Sequence, residues 1–353
     1  MNLECVEKIA EAVLYEGYML YPYRASAVKN QQRWNFGVLS PRSYCEQQSG
    51  SDRWMMQTEC LLKANPSTRL EIEIRFLQIV NRTIGKFASP MRELPDTAEP
   101  EFELVDELTI GERTFARWQE ARERKLEIPA WSSATHSMHR DSFFEFPAQR
   151  ELEPIRDTDG MIAGVIVRES EALSGSVEID FTPCRDGFIK ATVRVRNLTE
   201  YETDQQDDRA QALTHSLVSA HTILGVENGE FVSLLDPPRE LSDLAAECTN
   251  LGAWPVLVGE GGSRNAMLSS PIILYDFPQI APESPGSLFD GTEIDEILSL
   301  RILTMTDDEK REMRRSDDRT REILERTENM PPEQFMKLHG VLRGMRPVLE
   351  EAQ

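Results

Sequence analysis

The chain has 353 residues, 40% of them apolar and 28% charged, with 61 acidic and 39 basic side chains for a formal charge of −22. That balance excludes the clustered cationic footprint of a nucleic-acid binder, and no run approaches the roughly 18 consecutive apolar residues of a membrane helix. The length exceeds what one hydrophobic core usually serves and predicts two or three folding units. Five scattered cysteines (Cys5, Cys45, Cys60, Cys184, Cys248) suit reduced thiols, and Glu4, Glu7 and Glu11 interrupt any apolar signal core. A cytoplasmic protein is expected, with the sequons at Asn81 and Asn197 as chance matches.

Leu3, Val6, Ile9, Ala10, Val13 and Leu14 recur at helical spacing, which predicts an amphipathic helix over 3–14. The next stretch, 15–45, holds five of the seven tyrosines, with Trp34 and Phe36. It carries Arg24, Lys29, Arg33 and Arg42 against Glu16 alone, a local charge of +3 in an acidic chain. Aromatic rings with polar tips and guanidinium forks are what recognition surfaces use most, so Tyr21, Tyr23, Arg24, Lys29, Arg33 and Trp34 form a candidate partner-binding set. The same composition also suits internal packing.

Residues 69–81 alternate Leu70, Ile72, Ile74 and Phe76 against Arg69, Glu71, Glu73 and Arg75, the pattern of a half-buried strand. The similarly alternating 54–63 is its expected partner. Residues 88–101 read as a proline-punctuated linker and 102–110 as extended. In 113–125, Phe115, Trp118, Ala121 and Arg122 sit at helical spacing between extended flanks, leaving helix and strand open. Residues 129–160 read as irregular. Antiparallel strands are predicted for 161–170, 174–184 and 187–199. A short helix follows within 209–221, then an Asn228-Gly229 hairpin over 226–231 and another helix near 239–249. WPVLVGE at 254–260 and SPIILYDF at 270–277 read as core strands. Beyond 286, Ile294, Ile297, Leu298 and Ile302 mark a helix, Thr306 to Glu309 match a capping box, and Pro331-Pro332 opens a final helix.

Sites with recognisable chemistry are few. His136 and His139, three apart, could share a metal ion with Cys45 or Cys60 joining in space, although no CxxC or HExxH accompanies them. There is no G-x-S-x-G elbow. The loop from Gly259 to Arg264 follows an apolar stretch but lacks both the Walker pattern and the third glycine of a dinucleotide loop, so it reads as a strand-to-strand turn. No catalytic residue and no cofactor is assigned.

The strings at 12–39 (AVLYEGYMLYPYRASAVKNQQRWNFGVL) and 296–326 (EILSLRILTMTDDEKREMRRSDDRTREILER), with VRVRNLT at 193–199 and FVSLLDPP at 231–238, resemble uncharacterised bacterial proteins. Those proteins are encoded in gene neighbourhoods of uptake nickel–iron hydrogenases. The resemblance implies an accessory role in assembly, maturation or scaffolding, with a hydrogenase subunit or maturation factor as partner, and it transfers no catalytic residue.

The expectation is an α+β fold: an antiparallel, sandwich-like sheet preceded by an aromatic N-terminal arm and closed by C-terminal helices. Its segments are 1–90 (helix, arm and strands), 91–160 (linker-rich), 161–285 (strand-rich core) and 286–353 (helices). The function expected is a non-catalytic accessory protein. The alternatives are a metal-binding protein or enzyme using His136 and His139 with nearby cysteines, and a homo-oligomeric structural protein built through the tail.

Overall fold

The computed structural model describes residues 36–48, 52–95, 100–111, 113–132, 137–202, 209–259 and 262–278. It also describes helical positions at 6, 7, 9, 10 and 14, and positions 310, 324, 325, 328 and 329 toward the other end. In chain order the first elements are α1 (Arg42–Gln47), β1 (Met55–Lys63), β2 (Arg69–Met91), β3 (Glu103–Val105), β4 (Glu107–Ile110), β5 (Arg113–Ala116) and β6 (Trp118–Ser132). Next come β7 (Met138–Phe146), β8 (Gln149–Arg156), β9 (Ile162–Ser170), β10 (Leu173–Pro183) and β11 (Phe188–Asn197). The remainder are α2 (Arg209–Thr214), β12 (Val218–Glu227), β13 (Glu230–Phe231), α3 (Ser242–Ala246), β14 (Trp254–Leu257) and β15 (Ala266–Ser270).

Two antiparallel sheets share one core. The smaller has the order β13-β1-β11-β10-β7; the larger runs β14-β15-β12-β2-β9-β8, with β3 and β6 also pairing with β2. Paired residues point to the same face, so each strand's period of two sends one set inward. From the small sheet these are Met56, Cys60, Leu62, Val177, Ile179, Phe181, Ile189, Ala191, Val193 and Val195. From the large sheet Leu70, Ile72, Ile74, Phe76, Leu224, Val226 and Met267 meet them. The alternation read at 69–76 is therefore the core stripe of β2.

β1 and β2 do not pair, contrary to the expectation for 54–63 and 69–81. Both turn an apolar stripe to the same core, so they stack from opposite sheets, linked by a tight arch in which the Thr68 N–H donates to the Asn65 carbonyl at 3.0 Å. β2 pairs instead with β12 over its first part and β9 over its last, while β6 lines its other edge from Arg69 to Arg82. That pairing makes 118–125 strand, and 113–116 form β5, paired with β4. The helical spacing there was coincidental.

Within 129–160, the described stretches 129–132, 138–146 and 149–156 are strand rather than irregular. β7 continues through Pro147-Ala148 into β8, and β9 through Glu171-Ala172 into β10. The register is unbroken across the corner, with Phe146 opposite Leu173 and Gln149 opposite Ser170. One long two-stranded ribbon thus bends from the small sheet into the large one. β7 and β8 are sheet edges with one solvated face, which is why their sequence is too polar to read as core.

Asn228 takes a left-handed φ of 55°, as a tight turn after β12 requires, but the turn does not close a simple hairpin. Both edges of β12 are already taken by β2 and β15, so β13 crosses to pair with β1, Leu62 opposite Phe231. In 270–277 only Ser270 belongs to a strand. The ladder ends before Pro271, which has no N–H to donate, and Ile272 and Leu274 pack on a cluster formed by Val6, Ile9 and Ala10 with Ile223, Val256 and Leu268. The helical residues near the N-terminus therefore cover the outer face of the large sheet. The arm at 15–35 and most of the C-terminal segment lie outside the described residues. Within that segment Leu324 is buried, and Lys310 pairs with Glu328 at 3.4 Å. Strands drawn from 1–90, 91–160 and 161–285 interleave in the two sheets, so these segments build one body.

Asn197 shows how a surface-type residue is used inside. It is fully buried, donates to the Leu39 and His215 carbonyls at 2.7 and 2.9 Å, and accepts from the Thr199 N–H at 2.9 Å. Asn197→Ala orphans these groups and is expected to lower the unfolding free energy by about 2–3 kcal/mol in urea denaturation. A change below about 0.5 kcal/mol would show that the three bonds are replaced by water.

Candidate functional site

One face of the small sheet is sealed in the core; on the other, Leu61 is covered by Val232 and Leu241, and the part toward β7 stays open. Register places the outward side chains in cross-strand rows. In one row Glu59 of β1 lies opposite Thr192 of β11, then Asp180 of β10, then His139 of β7. In the next row Gln57, Arg194, Glu178 and Asp141 follow the same order. The result is a grid of polar groups on rigid backbone, around an open depression of about 520 Å³ lined in part by Glu59, His139, Asp180, Lys190, Thr192 and Arg194.

His139 sits between two carboxylates. Its Nδ1 lies 2.7 Å from Asp180 Oδ1 and its Nε2 lies 3.2 Å from Asp141 Oδ2. The hydrogen bond to Asp180 and then that to Asp141 raise its pKa above the ordinary histidine value. Partial burial pushes the Asp180 carboxyl up, but bonds from His139 and Arg194 outweigh it and hold the group below its usual range. Arg194 donates to Asp180 Oδ2 at 2.7 Å, to Gln57 Oε1 at 2.6 Å, and also to Glu178. Arg196 takes the second Glu178 oxygen. Glu59, nearly buried, accepts from Thr192 Oγ1 at 3.0 Å and from the Thr249 N–H at 2.8 Å, with Lys190 at 3.6 Å.

Of the residues singled out from sequence, Tyr21, Tyr23, Arg24, Lys29, Arg33, Trp34 and His136 lie outside the described residues. His139 is placed, but without the expected cysteines. Cys60 points into the core, on the opposite face of the sheet, and burial raises its thiol pKa strongly. Burial likewise pushes Cys45, on α1, and Cys248 up to about 11, so these thiols stay protonated at neutral pH. Asp141, Glu178, Asp180 and Arg194 were not singled out. Their signal was present as the i, i+2 pairs His139-x-Asp141 and Glu178-x-Asp180, which share a face only once both segments are strands. The loop from Gly259 to Arg264 lies between β14 and β15, where a strand-to-strand turn was expected.

Neither a family model nor a curated protein matches the chain. Among solved structures, it aligns with the secretin InvG of the Salmonella SPI-1 type III secretion injectisome in its open-gate state. That alignment has 11% identity and a TM-score of 0.11, covering 62% of this chain and 57% of the secretin chain. A likeness at that level carries no argument about fold or function. Among the described residues no helix is long and apolar enough to cross a membrane.

Proposed function

We propose that this protein is a non-catalytic accessory protein that works by binding a protein partner, in the assembly, maturation or scaffolding of a nickel–iron hydrogenase. The observation that supports a binding role is the exposed face of the small sheet. Its carboxylates and guanidinium groups neutralise one another in cross-strand pairs, and the described cysteines with raised pKa are protonated, so neither supplies an activated nucleophile. The hydrogenase assignment rests on the sequence resemblance at 12–39 and 296–326.

The test is affinity purification of the full chain from its native cell. A hydrogenase subunit or maturation factor is expected to co-purify, and Arg33→Ala combined with Trp34→Ala to weaken that association. Unchanged co-purification together with unchanged hydrogenase activity in the double variant would remove this reading.

A further inference from the structure

We propose that His139, Asp180 and Glu178 bind one first-row divalent cation of the zinc type on the exposed face of the small sheet. One imidazole nitrogen and two carboxylate oxygens, one from each residue, all lie within 4.8 Å of one another. Zinc takes nitrogen and oxygen ligands at about 2.0–2.2 Å, so three donors that close need only small side-chain rotations to share an ion. They come from facing positions of β7 and β10 in continuous register, which fixes the spacing of their backbones.

A second observation points the same way. Asp141 faces Nε2 of His139 and can accept its proton, the arrangement in which a carboxylate orients a metal-binding imidazole. In the tautomer that carries its proton on Nε2, the Nδ1 lone pair faces Asp180 Oδ1 across 2.7 Å and is free to ligate an ion. Without metal, a proton on Nδ1 bridges that gap, and the metal ion displaces it on binding. Arg194 bonds the other Asp180 oxygen, and Arg194 and Arg196 grip Glu178, so the guanidinium groups act as outer supports that orient the carboxylates. The open depression beside the cluster admits the water ligands that complete the coordination shell. One imidazole among two oxygens favours zinc-like ions over magnesium, which prefers an all-oxygen octahedron. The inference does not depend on the accessory reading.

Equilibrium dialysis of the chelator-stripped full chain tests it, with Zn²⁺ as probe and Mg²⁺ as contrast. One Zn²⁺ per chain is expected, with no retention of Mg²⁺. His139→Ala and Asp180→Asn should each weaken binding about 100-fold. Asp141→Asn, which touches only the outer nitrogen, should weaken it roughly 10-fold. His139 is exposed, so His139→Ala leaves the core intact; circular dichroism on each variant confirms the fold. No retained Zn²⁺, or Zn²⁺ retained equally by His139→Ala and wild type, overturns the proposal.

Discussion

Phe76→Ala is expected to lower the unfolding free energy by about 3–5 kcal/mol, the range for removing a fully buried aromatic ring. Phe76 has no solvent exposure and sits on the inward stripe of β2. Its ring centroid lies 5.9 Å from both Phe144 and Phe146, the first pair tilted and the second edge-on. The guanidinium of Arg124, the cross-strand neighbour of Phe76, lies over the Phe146 ring at 4.5 Å. Those two phenylalanines stand just before the corner where the β7–β8 strand passes from one sheet to the other. Deleting the Phe76 ring opens a void at that corner and removes the aromatic contacts that tie the ribbon to the large sheet. Urea denaturation of wild type, Phe76→Ala and Phe76→Leu measures this, with the leucine variant losing less because it keeps most of the volume. A loss under about 1 kcal/mol for the alanine variant would mean that the corner is held by other contacts.

The second large effect is an acid-side loss of stability centred on His221. This residue is fully buried on the outer face of β12, directly opposite Arg75 of β2. Its Nδ1–H donates to the Ser219 carbonyl at 2.9 Å, and Nε2 has no hydrogen-bond partner. Burial first, and then the Arg75 charge, lower its pKa from 6.5 to about 4, against opposing effects of the Ser219 bond and Glu73. Around it, Arg75 is itself nearly buried and meets Glu73 on its own strand, Glu7 from the N-terminal helical residues and Glu123 of β6. The unfolded chain therefore binds a proton between pH 6.5 and about 4 that the folded chain refuses. The contribution is fully present above pH 6.5, is lost as pH falls through that window, and levels off below it. One group with this shift removes about 2 kcal/mol by pH 5 and about 3 kcal/mol by pH 4. His221→Gln, of similar volume and without a titrating ring, should flatten that part of the curve. Identical pH dependence of wild type and variant would assign the acid loss to the carboxylates instead.

Legibility followed from how local each signal is. The core stripe Leu70, Ile72, Ile74 and Phe76 was plain because its burial is written in the strand's own alternation. So were 161–170, 174–184 and 187–199, whose apolar positions repeat in the same way. Residues 138–156 hid their structure because an edge ribbon borrows its apolar partners from β9 and β10. His139 was noticed as half of a pair with His136, whereas its neighbours in space are Asp141, two residues on, and Asp180, across the ribbon. Asn197, in the sequence a chance sequon, closes β11 as a buried three-bond anchor.

By itself the sequence determined the acidic balance, the antiparallel β character and the inward stripe Leu70, Ile72, Ile74 and Phe76 of β2, because charge and period-two alternation are properties of the chain alone. Only the tertiary structure decided that β1 and β2 stack rather than pair, that β13 crosses to the opposite sheet, and that β7 and β8 form one bent ribbon. The same step brought His139 to Asp180 and sent Cys60 into the core. Strand pairing joins residues far apart in sequence, and which edge remains open depends on every other strand in the sheet.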